Sequence, residues 1–186
     1  MFTHFYSDPH FGHANIIDYC KRPFAHVHDM NEELIARYNQ RVGISDHVLW
    51  CGDVAFMKPE QTEAILKRLQ GRRSLVLGNH DKRPIAFYEG CGFEKVNKRE
   101  CVFTLGGFRV KACHFPPNDR RYPELSPKLR DDEFLVHGHT HDARKVNGRC
   151  VHVGVDAWDY GPADADSVVK IMQEAGDEQL PIGTRT

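Results

Sequence analysis

The chain has 186 residues, enough for one domain with a substantial core of its own. A formal net charge of -1 excludes an overall electrostatic pull towards nucleic acid or a membrane surface, while leaving room for a local basic patch. No apolar run reaches the ~18 residues that a membrane-spanning helix needs, and Met1-Phe2-Thr3-His4-Phe5 does not open like a signal peptide.

In chain order, residues 2–6 are short and aromatic and predict a first strand, which runs into Ser7-Asp8-Pro9-His10-Phe11-Gly12-His13. Asp8 and His10 are two apart. In extended chain they face one way, and Pro9 holds its neighbour extended. A helical stretch from His13 or Asn15 to Cys20 follows, broken by Lys21-Arg22-Pro23-Phe24. Asp29 or Asn31 is placed to cap a second helix through Arg41, stopped by Gly43. His47-Val48-Leu49-Trp50 is the next strand and delivers Cys51-Gly52-Asp53. Pro59 suits the first turn of a third helix, which ends by Gly71. A strand over 72–77 then delivers Gly78-Asn79-His80-Asp81, and a helix over 83–88 follows. This alternation predicts parallel pairing in an α/β fold.

The pattern then changes. Runs over 100–105 and 108–113 flank Gly106-Gly107, a two-residue hairpin signal, and the second ends at His114. Residues 115–132 hold four prolines and little periodicity, and read as a loop that carries Arg120, Arg121, Lys128 and Arg130. A strand over 133–136 leads to His137-Gly138-His139-Thr140-His141, the densest histidine cluster in the chain. A hairpin turning at Asn147-Gly148 follows, then Val155-Asp156-Ala157-Trp158-Asp159-Tyr160. Asp164 or Asp166 is placed to cap a last helix through Ala175. A single domain over 1–176 and a polar, mobile tail over 177–186 are expected. The six cysteines form no C-x-x-C pair and read as reduced thiols, which makes the expected compartment cytoplasmic.

Alone, Asp8-Pro9-His10 or Gly78-Asn79-His80-Asp81 reads as a polar turn, whereas three histidines at alternate positions around Gly138 do not. The repetition of such strand-end groups is what points to a site. Asp8, His10, Asp53, Asn79, His80, His114, His139 and His141 supply carboxylate, amide and imidazole donors. That donor set suits manganese, iron or zinc and requires no thiolate, although Cys51 and Cys113 stand beside it in sequence. The donors outnumber the needs of one tetrahedral ion. Two ions roughly 3.5–4 Å apart use them better, activating a water near neutral pH and clamping the oxygens of an in-line displacement at phosphorus. An imidazole left off the metals is free to protonate the leaving oxygen.

In order, Asp8-Pro9-His10, Gly52-Asp53, Gly78-Asn79-His80-Asp81, His114 and Gly138-His139-Thr140-His141 resemble the motif series of the calcineurin-like metallophosphoesterases. The compact bacterial and phage branch is the nearest in wording. The resemblance implies an α/β four-layer sandwich of two mixed sheets flanked by helices. It implies one divalent ion on Asp8, His10, Asp53 and His141, and a second on Asp53, Asn79, His114 and His139. Asp53 would bridge, one oxygen to each ion. His80 would be the catalytic imidazole off the metals, held by Asp81. Manganese is the first expectation, with iron, zinc or nickel as alternatives.

The implied function is phosphoester hydrolysis by attack of a metal-bridging hydroxide. A chain this short leaves no room for a large capping domain, which favours an open cleft and a phosphodiester. A phosphomonoesterase on the same site is the alternative, and a non-catalytic scaffold of the same fold is a further one. Arg22, Lys82, Arg83, Arg120 and Arg121 are candidates for binding the anionic substrate, with nucleotides and nucleic acid among the expected partners and no membrane.

Overall fold

The computed structural model describes residues 1–177. Two five-stranded mixed sheets carry the fold. The first contains β1 (His4–Tyr6), β2 (His47–Trp50), β3 (Arg72–Val76), β4 (Phe93–Asn97) and β10 (Ala163–Asp164), in the order β10-β1-β2-β3-β4. Strands β1 to β4 run parallel, while β10 pairs antiparallel with β1. The second contains β5 (Glu100–Leu105), β6 (Phe108–Cys113), β7 (Glu133–His137), β8 (Val146–Asn147) and β9 (Cys150–His152), in the order β5-β6-β7-β9-β8. Its outer pairs are antiparallel hairpins and its central pairs, β6·β7 and β7·β9, are parallel.

The helices α1 (Asn15–Tyr19), α2 (Val27–Arg41), α3 (Pro59–Leu66) and α4 (Ile85–Gly90) join the first-sheet strands. Met30, Leu34 and Tyr38 of α2, Leu66 of α3 and Tyr88 of α4 bury against Tyr6, Trp50 and Leu75. On the opposite face, Phe5, Leu49 and Val76 meet Val110, Ala112, Phe134 and Val136 from the second sheet. This is the alternation of a strand buried on both faces. Helix α5 (Ala165–Asp177) adds Val168 and Met172 to the same core. The outer face of the second sheet carries Cys113, Leu135 and Cys150, covered by Phe115, Tyr122 and Leu125 from the loop over 115–132.

Most expected elements form. Strands β5 and β6 pair from Glu100↔Cys113 to Leu105↔Phe108 around the two glycines. The Ser167 amide donates to Asp164 Oδ1 at 2.8 Å, the cap expected for the last helix. That helix reaches Asp177, so the first residue of the expected tail is helical; residues 178–186 lie outside those described. Helix α2 begins at Val27 behind His26, not at a cap on Asp29 or Asn31. Asn31 instead accepts the Gly12 amide through Oδ1 at 3.0 Å, tying the helix to the segment after β1. Strands β4 and β10 were not foreseen. The first is an edge strand with exposed Glu94 and Lys95 at its centre, and the second is two residues long.

Candidate metal centre

The five segments that follow β1, β2, β3, β6 and β7 leave the carboxyl ends of parallel strands, two sheets contributing to one place. This is where open parallel sheets put their ligands. The backbone turns sharply there. Asp8, His10, Asp53, His139 and His141 all have positive φ, between 52° and 71°. Non-glycine residues held so cost roughly 1–3 kcal/mol each and cluster where a site imposes the conformation. Asp8 and His10 therefore converge through left-handed turns, not through the alternation of an extended D-x-H segment. Packing is tight around these turns: a Cβ on Gly78 would lie 2.1 Å from Asp53 Oδ1, and one on Gly138 2.0 Å from Ser7 Oγ and 2.2 Å from Asp8 Oδ2.

Asp53 stands at the middle. Its Oδ1 accepts the His80 amide at 2.9 Å. Its Oδ2 lies 3.5 Å from His10 Nε2 and 3.4 Å from His114 Nε2. One oxygen thus faces both halves of the cluster, which corrects the expectation of one oxygen for each ion. On one side, Asp8 Oδ1 lies 3.9 Å from His10 Nε2 and 3.8 Å from His141 Nε2. On the other, His114 Nε2 lies 3.0 Å from Asn79 Oδ1 and 3.2 Å from His139 Nδ1. All seven expected ligands are brought together, and Asp8, His10 and His141, as well as Asp8, Asp53 and His114, present donor atoms within reach of one cation.

The donor set fits divalent cations. Asp8 Oδ1 and His10 Nε2 are buried without a hydrogen-bond partner, which is costly unless something charged fills the space between them. The protonation pattern agrees. Burial favours neutral His10 and His139 and moves them down to about 3 and about 4, over the opposing pull of Asp53 and Asp8 on His10. Burial resists protonation of His114 and His141 too, but Asp53 lifts the first to about 9 and a hydrogen bond to Asp156 leads in lifting the second to about 10. Burial raises Asp8 and Asp53, yet the surrounding imidazoles hold both carboxyls below the usual range. Two anions surrounded by imidazoles, two of which take a proton, are a site asking for positive charge.

Outer contacts orient these donors. His114 Nδ1 donates to the Cys51 carbonyl at 2.6 Å, leaving Nε2 for the cluster. His141 Nδ1 donates to Asp156 Oδ2 at 2.8 Å. Arg22 Nε donates to the other oxygen of Asp156 at 2.8 Å, and its terminal nitrogens donate to the Pro9 and Asp8 carbonyls at 2.9 and 2.8 Å. Asp119, from the loop over 115–132, sets Oδ2 3.3 Å from His139 Nε2. Sequence reasoning missed Asp156 as a site residue although it stood in a quoted stretch, and it missed Asp119. The signal was slight: one more aspartate after an apolar run, and one more acid in a basic loop.

Several expectations change. Arg22 is buried with its nitrogens turned onto protein acceptors, so it braces the cluster and has no face for substrate. Asp81 does not hold the His80 ring. Its oxygens accept the Asp53, Val54 and Gly78 amides at 2.8, 3.0 and 2.8 Å, pinning two strand-end turns together. Arg83 donates to the Met57 carbonyl at 3.1 Å and lies over the Phe87 ring, which turns it away from the centre. Arg120 and Arg121 line a cavity that His139 also lines. His80 is 43% exposed, with Nε2 3.9 Å from Asp53 Oδ2 and its ring 4.6 Å from Phe56. The side chains of Cys51 and Cys113 turn into the two cores, while Cys20 lies close to His141 and Asp156.

A calcineurin-like phosphoesterase superfamily domain matches residues 6–154. The chain belongs to that superfamily. An uncharacterised protein of Methanocaldococcus jannaschii is 31% identical over 176 residues, covering 90% of this chain and 89% of its own. The Gene 66 protein of Mycobacterium phage D29 is 30% identical over 187 residues, covering 86% and 91%. A crystal structure of a protein of unknown function from Aquifex aeolicus superposes with a TM-score of 0.73 over 90% of this chain and 97% of that one, at 24% identity, and shares the fold. Two mixed sheets flanked by helices are thus the calcineurin-like architecture. Membership makes the chain a hydrolase of the metal-dependent phosphoesterase type. No helix among the described residues is long and apolar enough to cross a membrane.

Proposed function

We propose that this chain is a phosphodiesterase working with two divalent ions, manganese first among them. The observation that carries the reading is the position of Asp53 Oδ2, between His10 and His114 and so between two donor groups. When bound, the ions supply a water activated near neutral pH and positive charge around the reacting phosphoryl group.

The protein's own residues do the rest. Asp8, His10, Asp53 and His141 would hold one ion, and Asp53, Asn79, His114 and His139 the other. Arg22 and Asp156 fix the first group from behind, and Asp119 fixes His139 in the second. His80 stands at the rim, exposed, in position to donate a proton to the departing oxygen. Its ring has no carboxylate within hydrogen-bond distance among the described residues, so contact with Phe56 orients it.

A diester suits the setting because room exists on both sides of the cluster. Beyond His139 lies a cavity of about 730 Å³. Beyond His80 lies the exposed ring of Phe56. The experiment is hydrolysis of bis-p-nitrophenyl phosphate against p-nitrophenyl phosphate by manganese-loaded protein. The reading expects the diester to give the higher kcat/KM. A monoester preference would assign Arg120 and Arg121 to a dianionic terminal phosphate and replace the diesterase reading.

A further inference from the structure

We propose that His13 is a positioning residue for His80 and acts on it through the ring of Phe56. The inference deepens the reading of His80 as the proton donor and rests on it for the effect on turnover, but the holding of the ring needs no catalysis. The three side chains form one stack. The His13 and Phe56 rings lie 4.2 Å apart at 16°, and the Phe56 ring lies 4.6 Å from His80 at 53°. His10 stands 5.5 Å from the same Phe56 ring and 5.6 Å from His80, so the stack leans on the cation cluster. Rings in contact gain from apolar burial and from the fit of edge to face.

The backbone builds this stack. The Phe56 amide donates to the Phe11 carbonyl at 2.8 Å and the Phe11 amide to the Val54 carbonyl at 3.1 Å, so the segments after β1 and β2 lie side by side. Gly12, at φ +78°, lets them close: a Cβ there would lie 2.4 Å from Met57 Cε and 3.2 Å from the Phe56 carbonyl oxygen. His13 follows at once, its amide on the His10 carbonyl at 3.0 Å. Two observations assign the face of the His13 ring and not its nitrogens. Nδ1 is buried with no hydrogen-bond partner, and His13 stands in none of the donor groups that converge for a cation among the described residues. The need for a brace is plain at the other end. Phe56 is 38% exposed and the His80 side chain 43% exposed. Side chains this open keep their rotamer freedom unless neighbours restrict it, and proton transfer needs the donor held within reach of the departing oxygen. The His80 amide is fixed on Asp53 Oδ1 at 2.9 Å, which leaves the ring free to turn. Contact with Phe56 restricts that ring, and His13 covers the Phe56 face that would otherwise swing into solvent.

Two readouts on the full chain test this. In the metal-free protein, the Phe56 ring current displaces the His80 ring-proton resonances, which are assigned with His80→Gln. His13→Ala and, as a second break in the stack, Phe56→Leu should move those resonances towards the values of histidine in an unfolded peptide. His13→Phe, which keeps a flat ring, should leave them near wild type. In the manganese-loaded protein, His13→Ala should lower kcat about tenfold for a diester with an alkoxide leaving group and at most about twofold for p-nitrophenolate, with KM and manganese uptake unchanged and with recovery in His13→Phe. In a His80→Ala background the same substitution should add no more than about twofold. His80 resonances unmoved by both breaks overturn the proposal, as does a His13→Phe variant no better than His13→Ala, which would assign the nitrogens. A loss that persists in the His80→Ala background, or a loss of manganese, also overturns it. If the resonances move as expected but His80→Ala itself keeps kcat, the proton-donor reading fails and the positioning of the ring stands.

Discussion

In the proposed mechanism, His80 is the single residue that separates binding from chemistry. It is exposed and off the cluster, whereas its neighbour Asn79 faces His114. His80→Ala should lower kcat by about 10²–10⁴-fold, the usual worth of a general acid, while metal content stays near wild type. The loss should shrink for a p-nitrophenolate leaving group, which departs without a proton, and grow for an alkoxide. Loss of metal in the variant would make the ring a ligand. Asp156 is the counterpart behind the cluster, accepting from His141 and held by Arg22. Asp156→Asn should weaken the first ion by about 10–100-fold, the typical cost of losing an outer carboxylate on a ligating histidine. Arg22→Met should instead destabilise the fold by about 3–5 kcal/mol, because it removes the guanidinium that pairs with buried Asp156 and leaves the Pro9 and Asp8 carbonyls without their donor. Metal titration and chemical denaturation of the two variants distinguish these effects. The ligand types were legible in the sequence because Asp, His and Asn recur after apolar runs. Arg22 and Asp81 were misread because sequence shows a charge and not whether it faces inward.

Among the elements, the strand ends were readable and the backbone that shapes them was not. Gly52 and Gly78 announce a turn, but nothing in Asp8-Pro9-His10 announces a φ of 58° at Asp8, since the residue before proline is ordinarily extended. Only tertiary contacts decide that. Gly52, at φ +93°, shows how tight they are: a Cβ there would lie 2.5 Å from the Gly78 nitrogen and 2.7 Å from His114 Nδ1. Gly52→Ala should cost about 3 kcal/mol or more, from left-handed strain plus the clash, and should weaken metal binding through His114. Gly107, at φ +87° in the β5–β6 turn, meets nothing within 4 Å. Gly107→Ala should therefore show the strain alone, about 1 kcal/mol. Equal losses in urea unfolding of the two variants would contradict the packing account. The edge strands β4 and β10 escaped sequence reading for a related reason: their pairing comes from neighbours and not from an apolar pattern of their own.

In the whole molecule, the cluster joins the two sheets at their carboxyl ends. Asp8, His10, Asp53 and Asn79 come from the first sheet, and His114, His139 and His141 from the second. Cations bound there would clamp the sandwich. Manganese at 100 times its dissociation constant should add about 2.7 kcal/mol per independent site, raising the melting temperature by roughly 5–10 °C for each site in a chain of this size. A chelator should reverse the shift. The family and its two-sheet architecture were legible because five short motifs fall in order on strand ends. The cavity beyond His139 was not, because its walls come from two separated loops and from β7, β8 and β9, which only the fold brings together.

Asp53 is expected to serve two cations at once. Calorimetric titration of metal-free protein with manganese, beside Asp53→Asn, tests it most directly. The account predicts two ions per chain in the wild type, and weakened binding of both in the variant, whose amide replaces the shared anionic oxygen. One ion per chain at saturation, or an Asp53→Asn variant that keeps one site at full affinity, would contradict it.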